Sequence, residues 1–299
     1  MALSICIVSY NCRALLIDCL RSIELTVREL SCEVIVTDNA SEDDTVEMLA
    51  TEFPDVLAIA NEDNAGFAGG TNQAMARATG DVMLMLNPDT IVRPPALQTI
   101  VGFLGEHPDA AVGPRLVGDD GELQPSSHPF PTLGRTFAAQ LGLHRLARPK
   151  PPAEEPTRVD WVSGAALAMT RQVWKRVGPL DEGYFMYSED VDWCLRAARG
   201  GLACWYLPAA EIVHLEGATW ADMQRERVLA AHRANFRFFR KHYGRCAGLT
   251  LRAMIAGGAL ARGLLWTLAW PFGCRQCSPM NRPGVHFAVL REALLGGSR

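Results

Sequence analysis

The feature that most constrains this chain is the apolar run Val82-Met83-Leu84-Met85-Leu86, cut off by Asn87-Pro88-Asp89. An unbroken apolar run of strand length, bounded by turn residues, reads as a strand buried on both faces. Such strands belong to the middle of parallel sheets, which helices cover on both sides. The neighbouring sequence supplies those helices. Strands are expected at 3–8, 33–37 and 56–60, and helices at 14–27, 45–51 and 68–78, the first carrying Leu16, Leu20 and Ile23 on one face. Pro94-Pro95 opens a further helix, since proline is tolerated in a first turn. This alternation predicts βαβ units and an α/β fold with a mostly parallel, Rossmann-like sheet flanked by helices. Ligands of such sheets sit in the crevice at the carboxyl ends of the strands. Asp89 leaves its strand at that end, where a carboxylate is placed to hold a divalent metal against a diphosphate.

The second half is less regular. A strand is expected at 110–117, followed by a turn at Gly118-Asp119-Asp120-Gly121. The proline-rich segment 125–156 contains a helix near 133–146 and an exposed loop at 148–156. Extended chain at 159–169, a helix at 171–177 and a stop at Gly178-Pro179 follow. Ser188 is expected to cap a helix carrying Val191, Cys194, Leu195 and Ala198 on one face. Short strands at 203–207 and 211–215 precede an amphipathic helix at 220–243, with Leu229, Phe236, Phe239 and Tyr243 on one stripe. Residues 249–270 are apolar apart from Arg252 and Arg262. There are no internal repeats.

At 299 residues, 48% hydrophobic and 21% charged, the composition is that of a globular protein. The net charge of −4 is unevenly spread: between Arg225 and Arg262 nine Arg or Lys face Glu226 alone, giving +8 there and −12 elsewhere. A basic segment on an acidic body points to an anionic partner, a lipid surface. With Leu264, Leu265, Trp266, Leu268, Trp270 and Phe272 after it, the segment suits an interfacial anchor; a dimer contact or a helix packed on the body is the competing reading. The uncharged stretch 263–274 is too short to span a bilayer, which takes about 20 residues. The opening residues read as strand, not as a secretory leader. Nine scattered cysteines suit small buried hydrophobes in a reducing compartment. The expected location is therefore cytoplasmic, peripheral on the inner membrane face. Cys274 and Cys277 form one pair with too few ligands around it for a zinc site.

Six stretches, in order, carry a family resemblance: Ile7-Val8-Ser9-Tyr10-Asn11, Val36-Thr37-Asp38-Asn39-Ala40-Ser41, Asn64 to Asn72, Asn87-Pro88-Asp89, Glu189-Asp190-Val191-Asp192 and His214-Leu215-Glu216-Gly217. The chain resembles the inverting family 2 glycosyltransferases of GT-A fold, in their bacterial rhamnosyltransferase-like branch, over about residues 3–244. The resemblance implies a GT-A domain at 1–244, with a nucleotide-binding half at 1–118 and an acceptor-side half at 119–244. Residues 245–299 would then form a membrane-associating helical extension.

The same resemblance assigns roles. Ser9, Asn11 and Asp38 would hold nucleobase and ribose, whose hydroxyl and imide donors suit a carboxylate acceptor; capping of the next helix by Asp38 and Ser41 is the plainer alternative. Asn64, Gly66 and Asn72 would meet the nucleotide at a helix N-terminus, although Gly66, Gly69 and Gly70 equally suit a turn or close packing. Asn87-Pro88-Asp89 corresponds to the metal-binding DxD element with asparagine in first place, and a simple turn is its alternative. Asp89 and His214 would hold Mg2+ or Mn2+ with the donor's phosphates. Asp190 would be the base, Glu189 its nearest rival and Asp192 a weaker one. Gly164 would let the donor sugar approach, and Trp161, Tyr184 and Phe185 would line the cleft or pack into the core. The implied activity is metal-dependent transfer of a sugar, rhamnose from dTDP-rhamnose, to a glycan or lipid-linked hydroxyl. A nucleotidyltransferase would need a basic, glycine-rich loop near the N-terminus, unlike Ser9-Tyr10-Asn11-Cys12. An inactive nucleotide-sugar or carbohydrate-binding protein would have no use for Asp89, Asp190 and His214 together.

Overall fold

The computed structural model describes residues 1–27, 30–140, 153–215, 224–269 and 283–296. Its first elements follow the expected alternation: β1 (Leu3–Ser9), α1 (Arg13–Thr26), β2 (Cys32–Asp38), α2 (Thr45–Glu52), β3 (Leu57–Ala60), α3 (Gly66–Arg77) and β4 (Val82–Leu86). Then come β5 (Thr90–Val92), α4 (Ala96–Glu106), β6 (Ala110–Val117), β7 (Leu123–Gln124), β8 (Ser127–His128) and α5 (Leu133–Gln140). After residue 152 follow β9 (Thr157–Val159), β10 (Trp161–Val162), β11 (Ala166–Thr170), α6 (Arg171–Val177), α7 (Glu189–Arg199) and β12 (Ala203–His214). Two helices, α8 (Gln224–Ala269) and α9 (Pro283–Leu295), complete the described chain.

The main path through the sheet runs β3-β2-β1-β4-β11-β6-β12-β5. The first four strands are mutually parallel, as are β6 and β12, while β11 and β5 run antiparallel to their neighbours. Strand order reverses at β1 and β4, so the ligand crevice of such a sheet lies beyond their carboxyl ends. Side chains alternate between faces. Leu3, Ile5 and Ile7 of β1 and Val82, Leu84 and Leu86 of β4 pack with α1, α2 and α4. Cys6, Met83 and Met85 pack on the other face with α3, α6 and α7. Both faces are therefore covered, which is why β4 is apolar at all five positions.

Two local expectations need correction. The two strands expected at 203–207 and 211–215 are one strand, β12, whose register against β6 shifts between Leu207 and Glu211. Pro208 lies in that shift and has no N–H to give the ladder. Ser188 does not take the extended conformation of a helix cap: Tyr187 and Ser188 are both left-handed, with φ of 69° and 65°. The long helix ends at Tyr243 as expected: Gly244 is non-helical (φ 88°, ψ 174°), and a second helix runs from beyond it to Ala269, the two together spanning α8.

The chain forms two compact units. One, Met1–Phe130, Pro152–Phe185 and Glu189–Thr219, holds the sheet; the other comprises Pro131–Pro151, Met186–Ser188 and Trp220–Arg299. In the second unit Phe236, Phe239, Leu251, Ile255, Ala259, Val289 and Ala293 are buried. Arg233 pairs with Glu292 at 2.8 Å, and Arg252 donates to the Ala293 carbonyl while lying over the Phe236 ring. Of the expected stripe, Phe236 and Phe239 are buried, Leu229 is half-buried, and Tyr243 is exposed with its hydroxyl donating to the Pro131 carbonyl. No helix among the described residues is long and apolar enough to cross a membrane. The C-terminal residues Trp270, Phe272, Cys274 and Cys277 lie outside the described residues, as do 141–152 of the expected helix and loop.

Candidate active site

Parallel pairing of β1 with β2 puts Ser9 directly opposite Asp38. Both are buried, and each is already engaged. The Ser9 hydroxyl lies 3.3 Å from the Cys12 thiol, while Asp38 accepts from the Ser41 hydroxyl at 2.6 Å and the Ser41 N–H at 2.9 Å. Asn11, left-handed at φ 48°, accepts from the Glu42 N–H, and its own N–H donates to Ser41. Asp38 and Ser41 thus close the turn after β2 instead of capping α2, which begins only at Thr45. Asn11 is exposed beside this turn; Ser9 lies beneath it.

The glycines of α3 divide between two physical jobs. Gly66 has φ +75°, and a Cβ there would fall 2.6 Å from the Phe185 carbonyl oxygen. Gly70 brings the helix against Val8 of β1, where a Cβ would meet Val8 at 2.8 Å. The first amides of α3 have internal partners: Asn64 accepts from the Gly66 N–H, and the Phe185 carbonyl from the Phe67 N–H. Asn72 donates to the Leu180 carbonyl and to Glu182, and accepts from the Leu180 N–H. Its amide is therefore committed to tying α3 to the 180–182 segment, and Asn64 to starting the helix.

Asp89 and His214 come together through the sheet. His214 ends β12 opposite Thr90 of β5, and the Leu215 N–H donates to the Asp89 carbonyl. The side chains follow: His214 Nε2 lies 3.5 Å from Asp89 Oδ1, and Asp89 is only 5% exposed. Behind the imidazole, Gln124 Oε1 lies 3.0 Å from Nδ1, and Gln124 Nε2 donates to the His214 carbonyl at 2.8 Å. Nothing in the sequence around Gln124 marks it; a two-residue strand pairing with β6 carries it there. Asp89 and His214 offer a hard oxygen and an imidazole nitrogen, a donor set that fits Mg2+ or Mn2+. Among the described residues no group of three His, Cys, Asp or Glu could hold a metal, so phosphate and water oxygens would have to complete the shell. Glu216 and Gly217 lie outside the described residues.

Asn87 leads from this pair to the acidic one. Its N–H donates to the Ala165 carbonyl, and the adjacent Gly164 N–H donates to Asp190 Oδ2 at 2.8 Å. The space left by the missing Cβ of Gly164 is taken by Asp190: a Cβ would lie 3.3 Å from that of Asp190. Asp190 also accepts from the Val191 N–H. Burial raises its carboxyl above the ordinary aspartate range, opposed by these amides and by the nearby His128. Burial, then the charges of Asp190 and Asp192, push Glu189 well above the ordinary glutamate range, and Glu189 Oε2 is buried with no hydrogen-bond partner. Asp192 is fully buried, paired with Arg196 at 2.9 Å and within 3.4 Å of the Tyr184 hydroxyl, a structural position. Tyr184 is buried, Trp161 stacks on His128 with its indole N–H on the Pro129 carbonyl, and Phe185 is 53% exposed.

Comparison with known proteins gives the family and the fold. The family model described as Glycosyl transferase family 2 matches residues 4–165. The chain is 26% identical over 264 residues to the N-acetylglucosaminyl-diphospho-decaprenol L-rhamnosyltransferase of Mycobacterium tuberculosis, covering 79% of this chain and 84% of that protein. It is 31% identical over 159 residues to rhamnosyltransferase WbbL of Escherichia coli, covering 50% and 60%. Among solved structures, the mannosyltransferase PcManGT from Pyrobaculum calidifontis, in complex with GDP-Man and Mn2+, superposes with TM-score 0.58 at 18% identity, covering 99% of this chain and 88% of that one. That likeness is one of fold, the GT-A architecture of a mostly parallel sheet flanked by helices.

Proposed function

This chain belongs to glycosyltransferase family 2, and from that premise we propose that it moves a sugar, rhamnose from dTDP-rhamnose, onto a hydroxyl of a lipid-linked or polysaccharide acceptor with inversion at the anomeric carbon. That it is a glycosyltransferase follows from the family; donor, acceptor and metal dependence are the proposal. The observation that carries it is the chain of contacts linking Asp89 and His214 to Asp190 through Asn87, Ala165 and Gly164. It joins a candidate diphosphate-holding pair to a candidate base.

In this reading the acceptor oxygen attacks the anomeric carbon as the bond to the diphosphate breaks on the opposite side. Asp190 accepts the acceptor's proton. Its raised pKa makes it a stronger base than a solvated aspartate, and the Gly164 and Val191 N–H groups, one on each carboxylate oxygen, hold it in place. A divalent cation held by Asp89 and His214 would supply charge neutralisation for the departing diphosphate. Asn11, exposed at the end of β1, and Asp38 beneath it form the nucleoside end. Gly164 serves the base, and Asn72 holds the 180–182 segment. The exposed basic residues and leucines of α8 would meet an anionic membrane carrying the acceptor.

Asp190→Asn tests the assignment. It should retain donor-dependent thermal stabilisation while sugar transfer falls by about 10²–10⁴-fold, the usual worth of a positioned base. Turnover close to wild type would move the base role elsewhere.

A further inference from the structure

The Gln124 carboxamide contacts His214 twice, and the two contacts together fix a hydrogen on Nδ1. A backbone carbonyl can only accept, so the end of Gln124 that meets the His214 carbonyl at 2.8 Å is its NH2. Its other end, 3.0 Å from Nδ1, is then the carbonyl oxygen, which also can only accept. Nδ1 must therefore carry the hydrogen. In the neutral imidazole this leaves Nε2 with its lone pair, aimed at Asp89 Oδ1 3.5 Å away. A cation placed between these two atoms would be ligated by both.

We infer that Gln124 is a positioning residue that locks His214 in its Nδ1–H tautomer and so holds Nε2 ready to bind a divalent cation jointly with Asp89. The inference rests on the proposed cation pair and adds a residue that makes it directional. The backbone prepares the clamp. The Gly118 N–H donates to the Glu122 carbonyl to close the turn, Gly121 takes φ +79° within it, and β7 then lays Gln124 opposite Leu116 of β6. His214 follows the β12 residues that pair with the far side of β6, so the amide reaches past the end of that strand. A partner that fixes the remote nitrogen of a ligating histidine is worth about 10–100-fold in metal affinity.

The test uses the full chain with 15N-labelled histidine. Without added metal, the wild-type His214 ring should show a protonated Nδ1 and an unprotonated Nε2 at pH 8. A protonated Nε2 there overturns the inference without any substitution. Mn2+ binding is then followed by electron paramagnetic resonance in the presence of dTDP. Gln124→Leu should mix the tautomers and weaken Mn2+ about 10–100-fold. Gln124→Glu, which keeps an acceptor for Nδ1 but loses the donor to the His214 carbonyl, should recover part of that loss. Unchanged Mn2+ affinity in Gln124→Leu, with His214→Ala losing it, overturns the role of Gln124 and leaves the cation pair standing. Unchanged affinity in His214→Ala overturns the cation pair, and the nitrogen spectrum still decides whether Gln124 sets the tautomer.

Discussion

Single residues in this site are defined less by their own chemistry than by what faces them. Gly164 illustrates this: the resemblance implied room for a sugar, yet the room is occupied by Asp190, and the glycine's amide orients that carboxylate. Glu189 is the energetic counterpart. A carboxyl whose folded pKa is raised holds more protons folded than unfolded between the ordinary glutamate range and its raised value. Stability therefore falls as pH rises through that window. Glu189→Gln removes the penalty, so its thermal midpoint should exceed wild type at neutral pH and match it below the ordinary glutamate range. A pH series of melting curves checks this, and a lower midpoint at pH 7.5 would mean that the Glu189 charge is stabilising.

At the level of elements, the sheet was legible because its strands are buried on both faces and their apolar runs have sharp ends; α1, α2 and β4 fall within a residue or so of expectation. What could not be read were features fixed by partners distant in sequence. The α3 glycine loop looks like an anion cradle until the Phe185 carbonyl is seen taking the Phe67 N–H. Asn72 looks like a ligand contact until Leu180 and Glu182 are found on its amide. Gln124, in a two-residue strand, has no local pattern at all. Two glycines show how context sets the sign of a substitution. Gly66→Ala would force a left-handed residue against the Phe185 carbonyl and should cost about 2 kcal/mol or more. Gly102→Ala, in the interior of α4 with nothing within 4 Å, should gain about 0.5–1 kcal/mol. Urea midpoints at constant m-value compare them, and equal effects would contradict this account.

Across the whole molecule, positive charge concentrates in the C-terminal unit, as does apolar exposure among the described residues. Arg240, Lys241 and Arg245 are exposed around the Gly244 break, and Leu249, Leu260, Leu264, Leu265 and Leu268 are exposed beyond it. Reversing Arg240, Lys241 and Arg245 to Glu should weaken sedimentation with phosphatidylserine vesicles about 100-fold, at about 1 kcal/mol per charge, and leave neutral vesicles unaffected. Equal sedimentation of the triple variant with anionic vesicles would assign the basic face another partner. In the sheet-bearing unit, the ladder joining β5 to β12 has a different consequence. It delivers an imidazole encoded late in the chain to a carboxylate encoded early, with a backbone hydrogen bond between their two segments. During synthesis, a ribosome that has released only the first two hundred residues has yet to supply His214, half of the proposed cation pair. Under the proposed function, competence to hold the cation would thus arrive late and abruptly, as β12 docks.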